Sequence, residues 1–294
     1  MTRAGRCREL TLWLPLVALT PLGWLLAAWL GQRLADLAWW VLPGRRRVAL
    51  DNLRRAFPDR SPVERRRIAR ASFRLLGMNG VEACVFAFRA PAVLLSRVEV
   101  SGWERAESAA ARGHGVLMLT AHFGNWELLA ATHVLRSLPL SVVVRPMDVP
   151  TLGVLVDPFR RRAGVEIIDK RDGFRAALSA LRRGRMVGVL LDQNAARSES
   201  VFAPFFGTPA SSSRGLALLA MRSEAPVLPT FIRRVDEGRH LVQVGVAVPV
   251  PADRDVAALT GAYNAAIEFA IRGAPELWLW AHRRWRTRPE GSRA

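Results

Sequence analysis

The chain has 294 residues, half of them apolar and ten of them tryptophan, yet its formal charge is +18. About 250 residues remain once a hydrophobic N-terminal stretch is set aside, enough for one large domain with its own core. Cys7 and Cys84 are too few for a disulfide framework, and the five histidines form neither an H-E-x-x-H pattern nor a cluster with cysteine, so a protein-held zinc is not expected.

From the N-terminus, residues 10–32 carry no charge and are filled by leucine and tryptophan, long enough for a membrane-spanning helix. Pro15 and Pro21 leave a kinked or re-entrant insertion open. The run is long for a cleaved signal core and lacks a small-x-small exit, so an anchor is expected. Arg33, Arg45, Arg46, Arg47, Arg54 and Arg55 outnumber the arginines before the run, which by the positive-inside tendency puts the bulk of the chain in the cytoplasm. Trp39 and Trp40 read as an interfacial belt, and the arginine-rich stretch to Arg70 as either a contact with anionic lipid or a solvated helix face. Lys170 is the one lysine; arginine forks suit phosphates and carboxylates, although a G and C rich genome produces the same bias.

Beyond residue 45, apolar runs alternate with helical patterns, which predicts an α/β domain with a mainly parallel sheet core. Strands are expected at 115–120, 140–145, 165–168, 186–191, 227–233 and 241–248. Helices are expected at 125–136, 174–183, 212–222 and 256–272, with 45–76 helical in pieces. The division is therefore residues 1–44 as anchor and interfacial segment and 45–294 as the catalytic domain.

The first of these strands runs into Ala121-His122-Phe123-Gly124-Asn125-Trp126-Glu127. That places His122 at the carboxyl end of a strand, where open α/β sheets keep their ligands. His122 and Glu127 are five apart, about 140° on a regular helix. They can meet only if His122 lies in the loop and Glu127 in the first helical turn, with Gly124 supplying the backbone freedom. A carboxylate on one ring nitrogen leaves the other to take a proton from a hydroxyl, chemistry suited to acyl transfer. The alternative is a capping histidine with Glu127 offsetting the helix dipole.

Asp192 closes the apolar run 186–191 and is expected at a strand's carboxyl edge, near His122 if the two strands are close in the sheet, either orienting an arginine or a substrate hydroxyl or as a turn carboxylate. Residues 203–207 read as an apolar loop lining a groove or as ordinary core. The tail interleaves Trp278, Trp280 and Trp285 with His282, Arg283, Arg284, Arg286 and Arg288, a mixture that by itself also fits single-stranded nucleic acid. No G-x-S-x-G elbow is present.

Taken in order, several blocks carry a resemblance: residues 45–58 (RRRVALDNLRRAFP), 121–127 (AHFGNWE), Arg145 with Pro146, Arg160 with Ala163, Gly164 and Val165, Asp192-Gln193-Asn194, 202–207 (FAPFFG) and 275–289 (PELWLWAHRRWRTRP). The sequence resembles the late acyltransferases of lipid A biosynthesis, the lauroyl/myristoyl transferase family, over nearly its whole length. The resemblance implies a glycerolipid-acyltransferase-like fold and an inner-membrane enzyme of lipopolysaccharide biosynthesis. It also implies acyl carrier protein as donor partner, an anionic glycolipid as acceptor, membrane lipids as surroundings, and neither a cofactor nor a nucleic acid. His122 and Glu127 are then expected to be catalytic, with Gly124, Asn125, Arg145, Arg160, Asp192 and Gln193 supporting them or binding substrate. Three rival readings are an acyl-CoA-dependent enzyme acting on another glycolipid such as a phosphatidylinositol mannoside, a thioesterase, and a non-catalytic protein that binds anionic lipid.

Overall fold

The computed structural model describes residues 24–86, 91–144, 160, 163–169, 172–236 and 238–291. The greater part of the expected span 10–32 therefore lies outside the described residues, as do Arg145 and Lys170. Among the described residues no helix is long and apolar enough to cross a membrane.

Three helices come first: α1 (Trp24–Val41), α2 (Pro43–Ala56) and α3 (Pro62–Phe86). Ser61, Pro62 and Glu64 start α3 as a capping box. The Ser61 amide donates to Glu64 Oε2 (2.9 Å) and the Glu64 amide to Ser61 Oγ (3.2 Å). α1 and α3 cross almost backbone to backbone, because a Cβ on Gly31 would lie 2.6 Å from the Gly77 carbonyl oxygen. Ala27, Gly31 and Ala35, four apart, form the small-residue stripe that permits the crossing. Asp36 on α1 accepts from Arg70 and Arg74 on α3, which hold its carboxyl below the usual range.

The elements α4 (Pro91–Leu95), β1 (Val98–Ser101) and α5 (Trp103–Ala110) lead into the sheet. Next come β2 (Val116–Thr120), α6 (Trp126–Leu135), β3 (Leu140–Val144), β4 (Glu166–Asp169), α7 (Gly173–Arg182) and β5 (Met186–Leu190). A hairpin, β6 (Ser200–Phe205) and β7 (Thr208–Ser213), precedes α8 (Gly215–Ser223), β8 (Val227–Arg234), β9 (His240–Val244) and α9 (Val256–Gly273). A short 3-10 turn (Pro275–Leu277) opens the tail.

The sheet order is β1-β9-β8-β2-β5-β3-β4, and every neighbouring pair is parallel except β8 with β9. All five residues of β2 are buried, as expected of a central strand covered on both faces. One face carries α5 and α6, while α2, α3, α7, α8, α9 and the tail cover the other. The expected α/β class and mainly parallel core are therefore what the chain adopts. Each expected strand forms within two residues at its start; β1 and α5 escape a periodicity reading because they are only four and eight residues long. Of the two readings of residues 203–207, the core one describes the hairpin. Ala203, Phe205 and Phe206 are core residues, with Phe205 centred 5.6 Å from both Trp278 and Trp285, so this segment packs the interior and does not line a groove.

Three histidines are kept neutral by burial: His133 near pKa 4, His240 near 3 and His282 near 4. An unfolded chain takes up these protons near pH 6.5, before the folded one does, so acidification favours unfolding. The thermal midpoint is expected to hold above pH 7 and to fall steadily from pH 6.5 to 4. A flat profile by circular dichroism across that window would contradict the assignment.

Candidate active site

β2 and β5 are parallel neighbours with Thr120 opposite Leu190. Two residues further along, the same register sets His122 opposite Asp192, both just past the carboxyl edge of the sheet. Asp192 Oδ1 lies 2.9 Å from His122 Nδ1, and Asp192 Oδ2 accepts the His122 backbone amide at 3.0 Å. The Trp278 indole donates to the same Oδ2 at 2.8 Å. Burial alone would raise the Asp192 carboxyl, but the imidazolium charge and these hydrogen bonds outweigh it and hold the group near 2. Asp192 is thus a carboxylate at any working pH. An ionised acceptor at Nδ1 favours the tautomer with Nδ1 protonated and turns Nε2 outward. The Gln193 amide nitrogen lies 3.2 Å from that Nε2.

The sequence reading pairs His122 with Glu127, and here the fold differs. Glu127 sits in the first turn of α6 as expected, but its carboxylate receives a two-point hydrogen bond from Arg160, Nε to Oε2 at 2.8 Å and Nη2 to Oε1 at 2.6 Å. Trp126 Nε1 also donates to Glu127, at 3.1 Å. His122 Nδ1–H donates instead to Asp192, because a strand register, unlike a helix turn, brings two strand-end residues side by side. Glu127 is nevertheless one residue removed from His122, since the Trp126 ring stands edge-on to the imidazole with centroids 5.2 Å apart. Arg160, expected to support the site or bind substrate, is the partner of the Glu127 carboxylate.

Gly124 and Asn125 shape the loop. Gly124 has φ +58°, and a Cβ there would lie 1.8 Å from the Ile232 carbonyl oxygen, so the motif requires glycine. Its amide donates to Leu277 O (2.9 Å), and the Leu279 amide donates back to His122 O (3.0 Å), stapling the loop to the tail. The Gly124 amide is therefore committed to the fold. Asn125 caps α6 by accepting from the Leu128 amide at 3.1 Å.

The supporting shell escapes a reading by motif. On α3, Asn79 donates to Gly124 O at 2.6 Å, and Glu82 accepts from Asn125 at 3.0 Å while pairing with Arg234 of β8. Glu82 is 1% exposed, and burial pushes its carboxyl up against the pull of Arg234 and Asn125. A lone carboxylate in the apolar stretch of α3 was the one available signal. Trp278, in the sequence only one tryptophan of a mixed aromatic and cationic tail, is through its indole the third donor to Asp192. His282 is structural, its Nε2 accepting the Asn194 amide at 3.0 Å. Among the described residues no group of histidine, cysteine or carboxylate side chains is arranged to hold a metal ion.

If Asp192 acts through His122, the two substitutions should overlap. Asp192→Asn is expected to lower kcat about 100-fold or more, and the double variant with His122→Ala to be no slower than His122→Ala alone. Multiplicative losses with intact thermal midpoints would show that Asp192 works elsewhere.

Residues 3–287 match the family described as bacterial lipid A biosynthesis acyltransferase. The chain is 31% identical over 264 residues to the lipid A biosynthesis lauroyltransferase of Escherichia coli strain K12, covering 89% of this chain and 86% of that protein. It is 32% identical over 266 residues to the palmitoleoyltransferase of the same organism, covering 89% and 85%. Similarity to its myristoyltransferase is 24% over 249 residues, covering 84% and 76%.

Proposed function

The chain belongs to the bacterial lipid A biosynthesis acyltransferase family, and we propose that it moves a fatty acyl chain from acyl carrier protein to a hydroxyl of a lipid A precursor, with His122 as general base. The protein is an acyltransferase. The observation that carries the mechanism is the buried Asp192 carboxylate on His122 Nδ1, which leaves Nε2 as the basic atom of the site.

In this reading the acceptor hydroxyl displaces the Gln193 amide from Nε2, gives up its proton there, and attacks the thioester carbonyl as the C–O bond forms. The tetrahedral intermediate collapses with loss of the carrier thiolate, which takes the proton back from the imidazolium. Asp192 stabilises that imidazolium by charge and fixes the ring. Glu127 acts at one remove, as a positioning residue: clamped by Arg160, it holds the Trp126 indole, and the Trp126 ring fixes the open side of the imidazole. First-turn amides of α6 beyond Gly124 are the candidates for meeting the oxyanion. No serine or cysteine nucleophile is needed.

Placement on the cytoplasmic face of the inner membrane, with residues 1–44 as anchor and interfacial segment and 45–294 as the catalytic domain, belongs to the same proposal. On α1, Leu25, Trp29, Leu37 and Trp40 are each more than half exposed, an apolar face better suited to lipid than to water. Arg46 lies over Trp39 and Trp40 at 5.6 and 5.9 Å, at the junction where α1 gives way to the basic α2.

Incubating membranes that carry the protein with carrier-protein thioesters of several chain lengths and a tetraacylated precursor, then weighing the products, tests donor, acceptor and stoichiometry together. A single added acyl group is expected, with His122→Ala and Glu127→Ala each slower by orders of magnitude though still membrane-associated. Near-normal transfer by His122→Ala would sink the mechanism, and turnover only with acyl-CoA would reassign the donor.

A further inference from the structure

A second recess, of about 370 Å³, opens between α2 and the tail, lined by five arginines (Arg47, Arg55, Arg283, Arg286 and Arg288) with Asp51 as the one carboxylate in its wall. Asp51 is partly neutralised already, because Arg54 donates to it at 2.9 Å. Two regular patterns build the wall. On α2, Arg47, Asp51 and Arg55 recur every four residues and share one helix face. In the tail, Arg284 and Trp285 turn inward while Arg283, Arg286 and Arg288 point outward. Arg55 stacks over Trp285 at 5.4 Å. Its guanidinium is depressed below the ordinary arginine range, first by partial burial and then by the nearby Arg288 charge. The fold thus holds like charges together around a concavity, an arrangement that a compact, multiply charged anion would relieve.

Hydrogen bonds tie the wall of the recess to the segments that flank the His122 loop. Asn52, in its wall, donates to the carbonyls of Trp280 (2.8 Å) and His282 (2.6 Å). His282 in turn accepts from Asn194, next to the Gln193 that faces His122.

We propose that this recess binds a phosphate monoester on the headgroup of the lipid acceptor, so that the arginines seat the phosphorylated sugar while its hydroxyl is presented to His122. This rests on the acyl-transfer reading for the identity of the ligand, though not for its chemistry. A volume of this order accommodates a phosphorylated sugar headgroup.

The test uses the full chain in detergent and the variant Arg47→Ala/Arg283→Ala, whose truncated side chains are exposed. The wild type should prefer a phosphorylated over a phosphatase-treated acceptor in kcat/KM, and the variant should lose that preference by about tenfold or more. An unaltered preference, or a defect confined to the KM for the carrier-protein donor, would overturn the proposal. A binding arm stands apart from turnover. Vesicles containing phosphatidic acid, a monoester, should retain the wild type better than phosphatidylglycerol vesicles of matched surface charge, and the variant should not discriminate. Equal retention by the wild type overturns the monoester site even if acyl transfer is confirmed. Absence of turnover with any lipid A precursor, together with monoester preference, would sink the acyl-transfer reading and leave the site standing. Micromolar binding of inorganic phosphate without vesicle preference would identify a free anion as the ligand and overturn assignment to the headgroup.

Discussion

A single buried carboxylate organises the catalytic end of this molecule. Asp192, 2% exposed, satisfies its oxygens with the backbone and ring of His122 and the indole of Trp278, groups 70 and 86 residues away in sequence. Removing a carboxylate from water is costly unless donors replace the lost solvent. Here the donors are also the parts that must be aligned, so satisfying the charge and assembling the site are the same event. The position of Asp192 follows from the β2 and β5 register, which depends in turn on the apolar, β-branched strands that pair in the middle of the sheet.

Around that carboxylate the loop is clamped from three directions. The tail bridges it as a short antiparallel pair at Phe123 and Trp278, Ile232 of β8 closes against Gly124, and Asn79 and Glu82 reach it from α3. Asn79 and Glu82 lie on the same helix as Gly77, where α1 crosses. The helix pair with the exposed apolar face is therefore mechanically continuous with the loop that carries His122. Preorganisation of this kind is what the proposed general-base step requires of the imidazole.

The large positive charge resolves into distinct uses. Arg160, Arg234 and Arg74 neutralise Glu127, Glu82 and Asp36. Arg284 is fully buried, donating to Ser211 O at 2.7 Å and to Ser212 Oγ at 2.5 Å above the Phe205 ring; burial brings it down to about 10, still protonated at neutral pH. Other arginines crowd one recess or the α2 surface, where an anionic partner would find them. Net charge alone could not separate these roles, since each depends on what stands opposite the guanidinium.

The sequence by itself determined the α/β class, most of the strands, the strand-end placement of His122 and the need for a glycine two residues on, because periodicity and backbone conformation are local properties. The ordered blocks of similarity determined the reaction class. Only the tertiary structure decided which carboxylate is hydrogen-bonded to the histidine. The sequence reading takes Glu127 from the family motif, although its spacing from His122 rules out a simple helical pairing, whereas hydrogen bonds between parallel strands join residues at matched register however distant they are. The same applies to Trp278, Asn79 and Glu82: each reaches the loop from another element, and no spacing within the motif encodes that meeting. The His122 motif was legible from the start; its partner became visible once β2 and β5 lay side by side.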